Sequence, residues 1–107
     1  MKYETFIRDF FSAWQKRNWD FVERSITDDF TFTSPYDDHL DKNDYEQKCW
    51  NAIKEMEDYN IITIIENGDQ AFIRYKGRVN GTQVQNTEHF IFQDGKIKAI
   101  TVFFGRP

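Results

Sequence analysis

Only one cysteine, Cys49, occurs in the chain, so no internal disulfide can form. Two histidines beside that thiol are too few for a structural zinc set at a recognisable spacing, and no metal or cofactor is expected. Apolar runs of membrane-spanning length are missing. The opening residues, MKYETFIRDFF, carry acids and arginine where a signal peptide needs an unbroken apolar stretch. A reduced, cytoplasmic protein with no membrane partner is the expectation. Positive charge is also in short supply. Against 18 Asp and Glu stand 14 Lys and Arg, a net charge of −4 with no basic block, which argues against nucleic acid as a partner. Aromatic residues, by contrast, are plentiful: 11 Phe, 5 Tyr and 3 Trp in 107 residues. Each can bury a large apolar area or wall a ligand cavity. The length suits one domain, residues 1–107, around one core.

Periodicity divides the chain into helices first and strands last. From Tyr3 to about Arg17 the apolar residues Tyr3, Phe6, Ile7, Phe10, Phe11 and Trp14 recur at helical steps. Asn18 interrupts them, and Trp19, Phe21, Val22 and Ile26 suit a short second helix, which makes a helical hairpin. The alternating stretch Phe30, Thr31, Phe32, Thr33 reads as a strand, stopped at Ser34-Pro35 because proline cannot continue a central ladder. A loop rich in acids follows. Asn43 or Asp44 can then cap a third helix, with Tyr45, Cys49, Ala52, Ile53 and Met56 as its buried stripe. Beyond Tyr59-Asn60 come four strands, Ile61 to Glu66, Ala71 to Val79, Gln83 to Phe92 and Lys96 to Phe104. Turn signals separate them at Asn67-Gly68-Asp69, Asn80-Gly81 and Asp94-Gly95. Helices, one strand, a helix and a meander describe an α+β fold. A curved antiparallel sheet wrapped around the helical hairpin and the third helix makes a cone with a hollow interior.

Helical hairpin, "DDFTFTSP", helix, and a meander ending "NTEHFIFQDGKIKAITVFFG" together resemble the SnoaL-like and ketosteroid isomerase-like branch of the nuclear transport factor 2-like superfamily. The resemblance covers essentially the whole chain and implies a cone-shaped α+β roll, usually dimeric, with an apolar pocket between sheet and helices. No single activity follows, because one fold hosts many functions. The isomerases' general base would fall on Ser34, whose hydroxyl cannot take a carbon-bound proton unaided. Their oxyanion-hole tyrosine would fall near Phe10, which has no donor, and their protonated aspartate near Glu88, which keeps a carboxyl.

Alternation puts Glu88, Phe90 and Phe92 on one strand face and Thr87, His89 and Ile91 on the other. If the resemblance fixes the concave face, Glu88 points into the pocket, and a carboxyl among aromatics should have its pKa raised by desolvation. It is the first candidate for acid/base work, although a structural glutamate bonded to Arg74 or Arg78 fits equally well. Asp37, Asp38 and Asp41 read more simply as solvated turn residues, with Asp38 the one that Pro35-Tyr36 could turn inward. His39 suits proton transfer, and Asp38 could orient it. The expected ligand walls are Phe10, Trp14, Phe32, Ser34, Tyr36 and Trp50 from the first half of the chain. From the second half come Ile73, Tyr75, Phe90, Val102 and Phe104. Cys49 reads as packing rather than nucleophile, with no histidine to form its thiolate.

These residues suggest a cofactor-free pocket protein for a small apolar or aromatic ligand. The sharper expectation is an isomerase- or cyclase-like enzyme acting on an apolar or carbonyl compound, with Glu88 as its acid/base. The alternative is a non-catalytic domain that binds a hydrophobic ligand or serves as a dimerisation or adaptor module. Thr87, His89, Ile91, Thr101 and Phe103 on the convex face point to a homodimer.

Overall fold

The computed structural model describes residues 1–106. Helix α1 (Glu4–Gln15) buries Ile7, Phe10, Phe11 and Trp14 along one stripe. Helix α2 (Trp19–Ser25) is capped by the Asn18 side chain, which accepts the Phe21 amide. Strand β1 (Ile26–Ser34) follows at once, two residues earlier than the acids Asp28-Asp29 suggested. The acid-rich segment is not a loop. Asp37–Leu40 forms strand β2, which folds back on β1.

The third helix is shorter than its apolar spacing implied. Helix α3 (Lys42–Tyr45) is capped by Asp41, whose side chain accepts the Asp44 amide at 2.8 Å, in place of Asn43 or Asp44. It widens into a π-helical turn, Glu46–Trp50, and ends there. Tyr45 and Cys49 are buried as expected, but Ala52 lies exposed beyond the end of the helix. Met56 opens strand β3 (Met56–Asn67). The cause is tertiary. The Arg17 guanidinium donates to the carbonyls of Trp50 (2.9 Å) and Ile53 (2.6 Å), satisfying acceptors that another helical turn would have used. Asn80 does the same from the other side, bonding the Lys54 and Glu55 amides and the Ala52 carbonyl.

Strands β3, β4 (Gln70–Val79), β5 (Thr82–Gln93) and β6 (Lys96–Phe104) form the expected meander. At the last two turns both residues of Asn80-Gly81 and Asp94-Gly95 have positive φ, the backbone that two-residue hairpins demand. The six strands lie in the order β2-β1-β6-β5-β4-β3. The sheet is mixed, not wholly antiparallel, because β1 runs parallel to β6. A crossover of helix and meander between β1 and β6 permits that parallel pairing.

One face of the sheet is curled over the helices and carries the core, including Phe30, Ile73, Phe90 and Ile100, each 1% exposed or less. Phe72, Ile91 and Phe103 on the other face stay exposed. Among the described residues no helix is long and apolar enough to cross a membrane.

Candidate functional site

One row across the sheet gathers the polar groups. Asp37 of β2 pairs with Ser34 of β1. Thr33 pairs with Thr101, so Ser34 falls beside Val102, and Val102 pairs with Glu88, which pairs with Ile73. The inward side chains of this row face α1 and the π-helical turn across a cavity of about 280 Å³. Its deep wall is aromatic: Phe10, Phe11, Trp14, Tyr45, Tyr59 and Tyr75. The mouth is formed by Tyr36, Asp37, Lys48 and Phe104, with the Tyr36 ring leaning on Phe104 at 5.6 Å.

Glu88 is the carboxyl of the interior. The Tyr75 hydroxyl donates to its Oε2 at 2.5 Å, and Asn86 Nδ2 donates to the Tyr75 oxygen at 3.4 Å. Asn86 is in turn bonded by the Gly105 amide. Glu88 is half-buried because one side opens on the cavity, yet the atoms crowded around it remove most of its hydration. That desolvation raises its pKa from 4.5 to about 7, and the Tyr75 hydrogen bond only partly opposes the rise. Tyr45, Tyr59 and Tyr75 have raised pKa values, chiefly because burial disfavours the phenolate and next because the Glu88 charge repels it. Burial pushes the Cys49 thiol up to about 12, so it is no nucleophile at neutral pH. A carboxyl that is half protonated near pH 7, in an apolar cavity, can give or take a proton.

The model of the SnoaL-like domain family matches residues 7–100. The chain belongs to the SnoaL-like family. No curated protein matches this SnoaL-like domain. Among solved structures it is similar to a nuclear transport factor 2-like protein of unknown function from Cytophaga hutchinsonii. The TM-score is 0.79 at 19% identity over 92% of this chain and 86% of the other. It is also similar to a proposed polyketide cyclase from Sinorhizobium meliloti, with a TM-score of 0.71 at 22% identity over 88% and 89% of the two chains. A proposed ketosteroid isomerase from Kribbella flavida gives 0.77 at 15% identity over 96% and 77%. Likeness at such identities shows the nuclear transport factor 2-like fold.

Among the expected site residues of the SnoaL-like domain, Glu88 lies in the cavity wall with Phe10, Trp14, Phe32, Ser34 and Tyr36. Tyr75, Val102 and Phe104 line it as well. Trp50, Ile73 and Phe90 do not. Trp50 packs on Trp14 and Trp19 beneath the Arg17 guanidinium, which sits 3.9 Å over its ring. Ile73 and Phe90 face inward as their strands require, but both are fully buried, Phe90 under Phe10 and Phe11 of α1. Asp38 and His39 do pair with each other, His39 Nδ1 lying 2.5 Å from Asp38 Oδ1. Their side chains are 91% and 71% exposed, however, and neither reaches the cavity.

The reason is a bulge. Two steps along β1, from Phe32 to Ser34, are matched by three along β2, from Leu40 to Asp37, and His39 takes up the extra residue at φ 51°. The slip gives the inward place beside Ser34 to Asp37 and turns Asp38 outward. Tyr59 was hidden by a similar irregularity, for the β3 register shifts between Glu57 and Asn60, where Asp58 has φ 55°. The Asn80-Gly81 turn and the strand periods give no hint of either. Lys48 of the π-helical turn, Met56 of β3, and Val84 and Asn86 of β5 also line the wall, Asn86 on the same face of its strand as Glu88.

Proposed function

We infer that this domain performs acid/base chemistry on a small apolar or carbonyl-bearing molecule held in the cavity, with Glu88 exchanging the proton. The observation that carries the reading is the Glu88 carboxyl facing a cavity walled mostly by aromatic and aliphatic side chains and bonded by the Tyr75 hydroxyl, where desolvation raises its pKa. Such a site offers an apolar molecule burial of its rings and one polar anchor. Hydrogen–deuterium exchange beside the carbonyl of 2-indanone, followed by NMR in D2O, tests it. The protein should accelerate exchange, and Glu88→Gln should lose about 100-fold or more of that acceleration. Saturable ketone binding with no exchange would instead make the domain a non-catalytic binder.

A homodimer through the convex face accompanies this reading. Phe72, Ile91 and Phe103 are exposed there, and the His89 ring stacks on Phe72 at 4.4 Å. An apolar patch on a sheet face suits a symmetric partner. Sedimentation at micromolar concentration should give a dimer that Phe72→Glu dissociates; a wild-type monomer would refute it.

A further inference from the structure

We propose that Lys48 selects a monoanionic ligand, whose apolar, carbonyl-bearing body fills the cavity while a carboxylate at its outer end pairs with the Lys48 ammonium at the mouth. This rests on the cavity being the binding site, as read above, and names the substrate class that the site admits.

Lys48 is the single cation among the described residues that line the cavity. It belongs to the π-helical turn, Glu46–Trp50, whose buried Cys49 and Trp50 anchor that segment to the core and leave Lys48 exposed at the rim. Single π-helical turns of this kind gather at functional sites. Lys42, earlier in the same helical segment, is already paired: its Nζ lies 3.0 Å from Glu23 Oε2 and 3.7 Å from Asp28 Oδ1. Among the described residues, Lys48 has no carboxylate at ion-pair distance. Its ammonium is left for a ligand.

The charges around the cavity limit what that ligand can carry. Asp37 shares the mouth, but the Ser34 hydroxyl donates to its Oδ2 at 2.9 Å and holds it on the sheet side. Cys49 senses the whole set. Burial raises its thiol pKa most, Asp37 and Glu88 raise it further, and Lys48 opposes them, so two acids and one base act on a single stretch of wall. A carboxylate places one negative charge against Lys48. A phosphate dianion would add a second charge that meets the acids with no cation to offset it.

Apolar surface leads from the interior to this cation. Tyr36 and Phe104, also at the mouth, are 85% and 51% exposed. A ligand that ended inside the cavity would leave both rings and the ammonium in water. One that extends past the mouth covers the rings and forms a charge-assisted hydrogen bond beyond them.

Two probes of one shape test this, 2-indanone-5-carboxylate and its uncharged carboxamide, each titrated into the protein and followed by NMR at pH 6, where Glu88 is mostly protonated. The wild type should bind the carboxylate about fivefold more tightly, the size expected of a lysine pair open to water. Lys48→Gln should bring the ratio of the two dissociation constants to about one, and Lys48→Glu should reverse it. Lys48→Arg keeps the charge and should keep the preference. A Lys48→Gln protein with the wild-type preference, or a wild type with none, overturns the inference. Binding is read apart from proton exchange, so the two readings separate. A Lys48-dependent preference without exchange beside the carbonyl supports this inference and overturns the acid/base reading, and exchange without the preference does the reverse. If neither probe binds, both are overturned.

Discussion

Strands β5 and β2 each bring one carboxyl to the same cavity, but they obey the alternation of strand faces to different degrees. β5 pairs with β4 from Thr82 to Ile91 with no slip, and every second side chain from Asn86 to Phe92 faces inward. β2 is four residues long, and a bulge at its centre exchanges the places of two adjacent aspartates. A long strand between two neighbours has its faces fixed by many ladder bonds. A short edge strand can absorb an extra residue at little cost, and edges are where bulges gather. Glu88 could therefore be placed from the sequence, whereas the choice between Asp37 and Asp38 depended on one backbone angle.

The contrast can be broken in order of size. At Glu88 the burial that raises the pKa is also a stability term. Below pH 4.5 the carboxyl is neutral in both states; between there and about 7 the folded protein keeps a proton that the unfolded chain releases. Stability therefore falls as pH rises through this window, by about 3 kcal/mol in all. Glu88→Gln stays neutral and can still accept from Tyr75. Denaturant melts should show it about 3 kcal/mol more stable than the wild type at pH 8 and equal to it at pH 4. Equal stabilities at pH 8 would mean that the cavity does not desolvate the carboxyl. The β2 bulge should respond less. His39→Gly removes a side chain from a left-handed backbone and should stabilise the fold by about 1 kcal/mol, with the exchange activity intact. A loss of activity would give His39 a role that its exposure denies. Asp38→Asn should change stability by no more than about 0.5 kcal/mol, and a larger effect would show that its bond to His39 holds the bulge.

Much of the architecture was legible in the chain because it is written in local terms. The aromatic stripe of α1, the Asn-Gly and Asp-Gly turns and the order of helices before meander each depend on residues close in sequence. The candidate site was legible where it rides on regular elements, as Glu88, Tyr75 and Val102 do on strands and Phe10 and Trp14 on α1. Trp50, Ile73 and Phe90 face inward as read, but alternation cannot tell an inward residue that meets a cavity from one covered by a helix. That depends on where Trp14, Trp19 and Phe10 come to rest.

By itself, then, the sequence determined which side chains point toward the interior along regular elements, because a strand's period of two and a helix's period of 3.6 are properties of the local backbone. The tertiary structure decided the parallel pairing of β1 with β6, the early end of the third helix under Arg17, and the bulge that turns Asp37 rather than Asp38 inward. Each of these is settled by hydrogen bonds or packing between segments far apart in the chain or by a left-handed residue at a sheet edge, and neither leaves a periodic trace in the residues themselves.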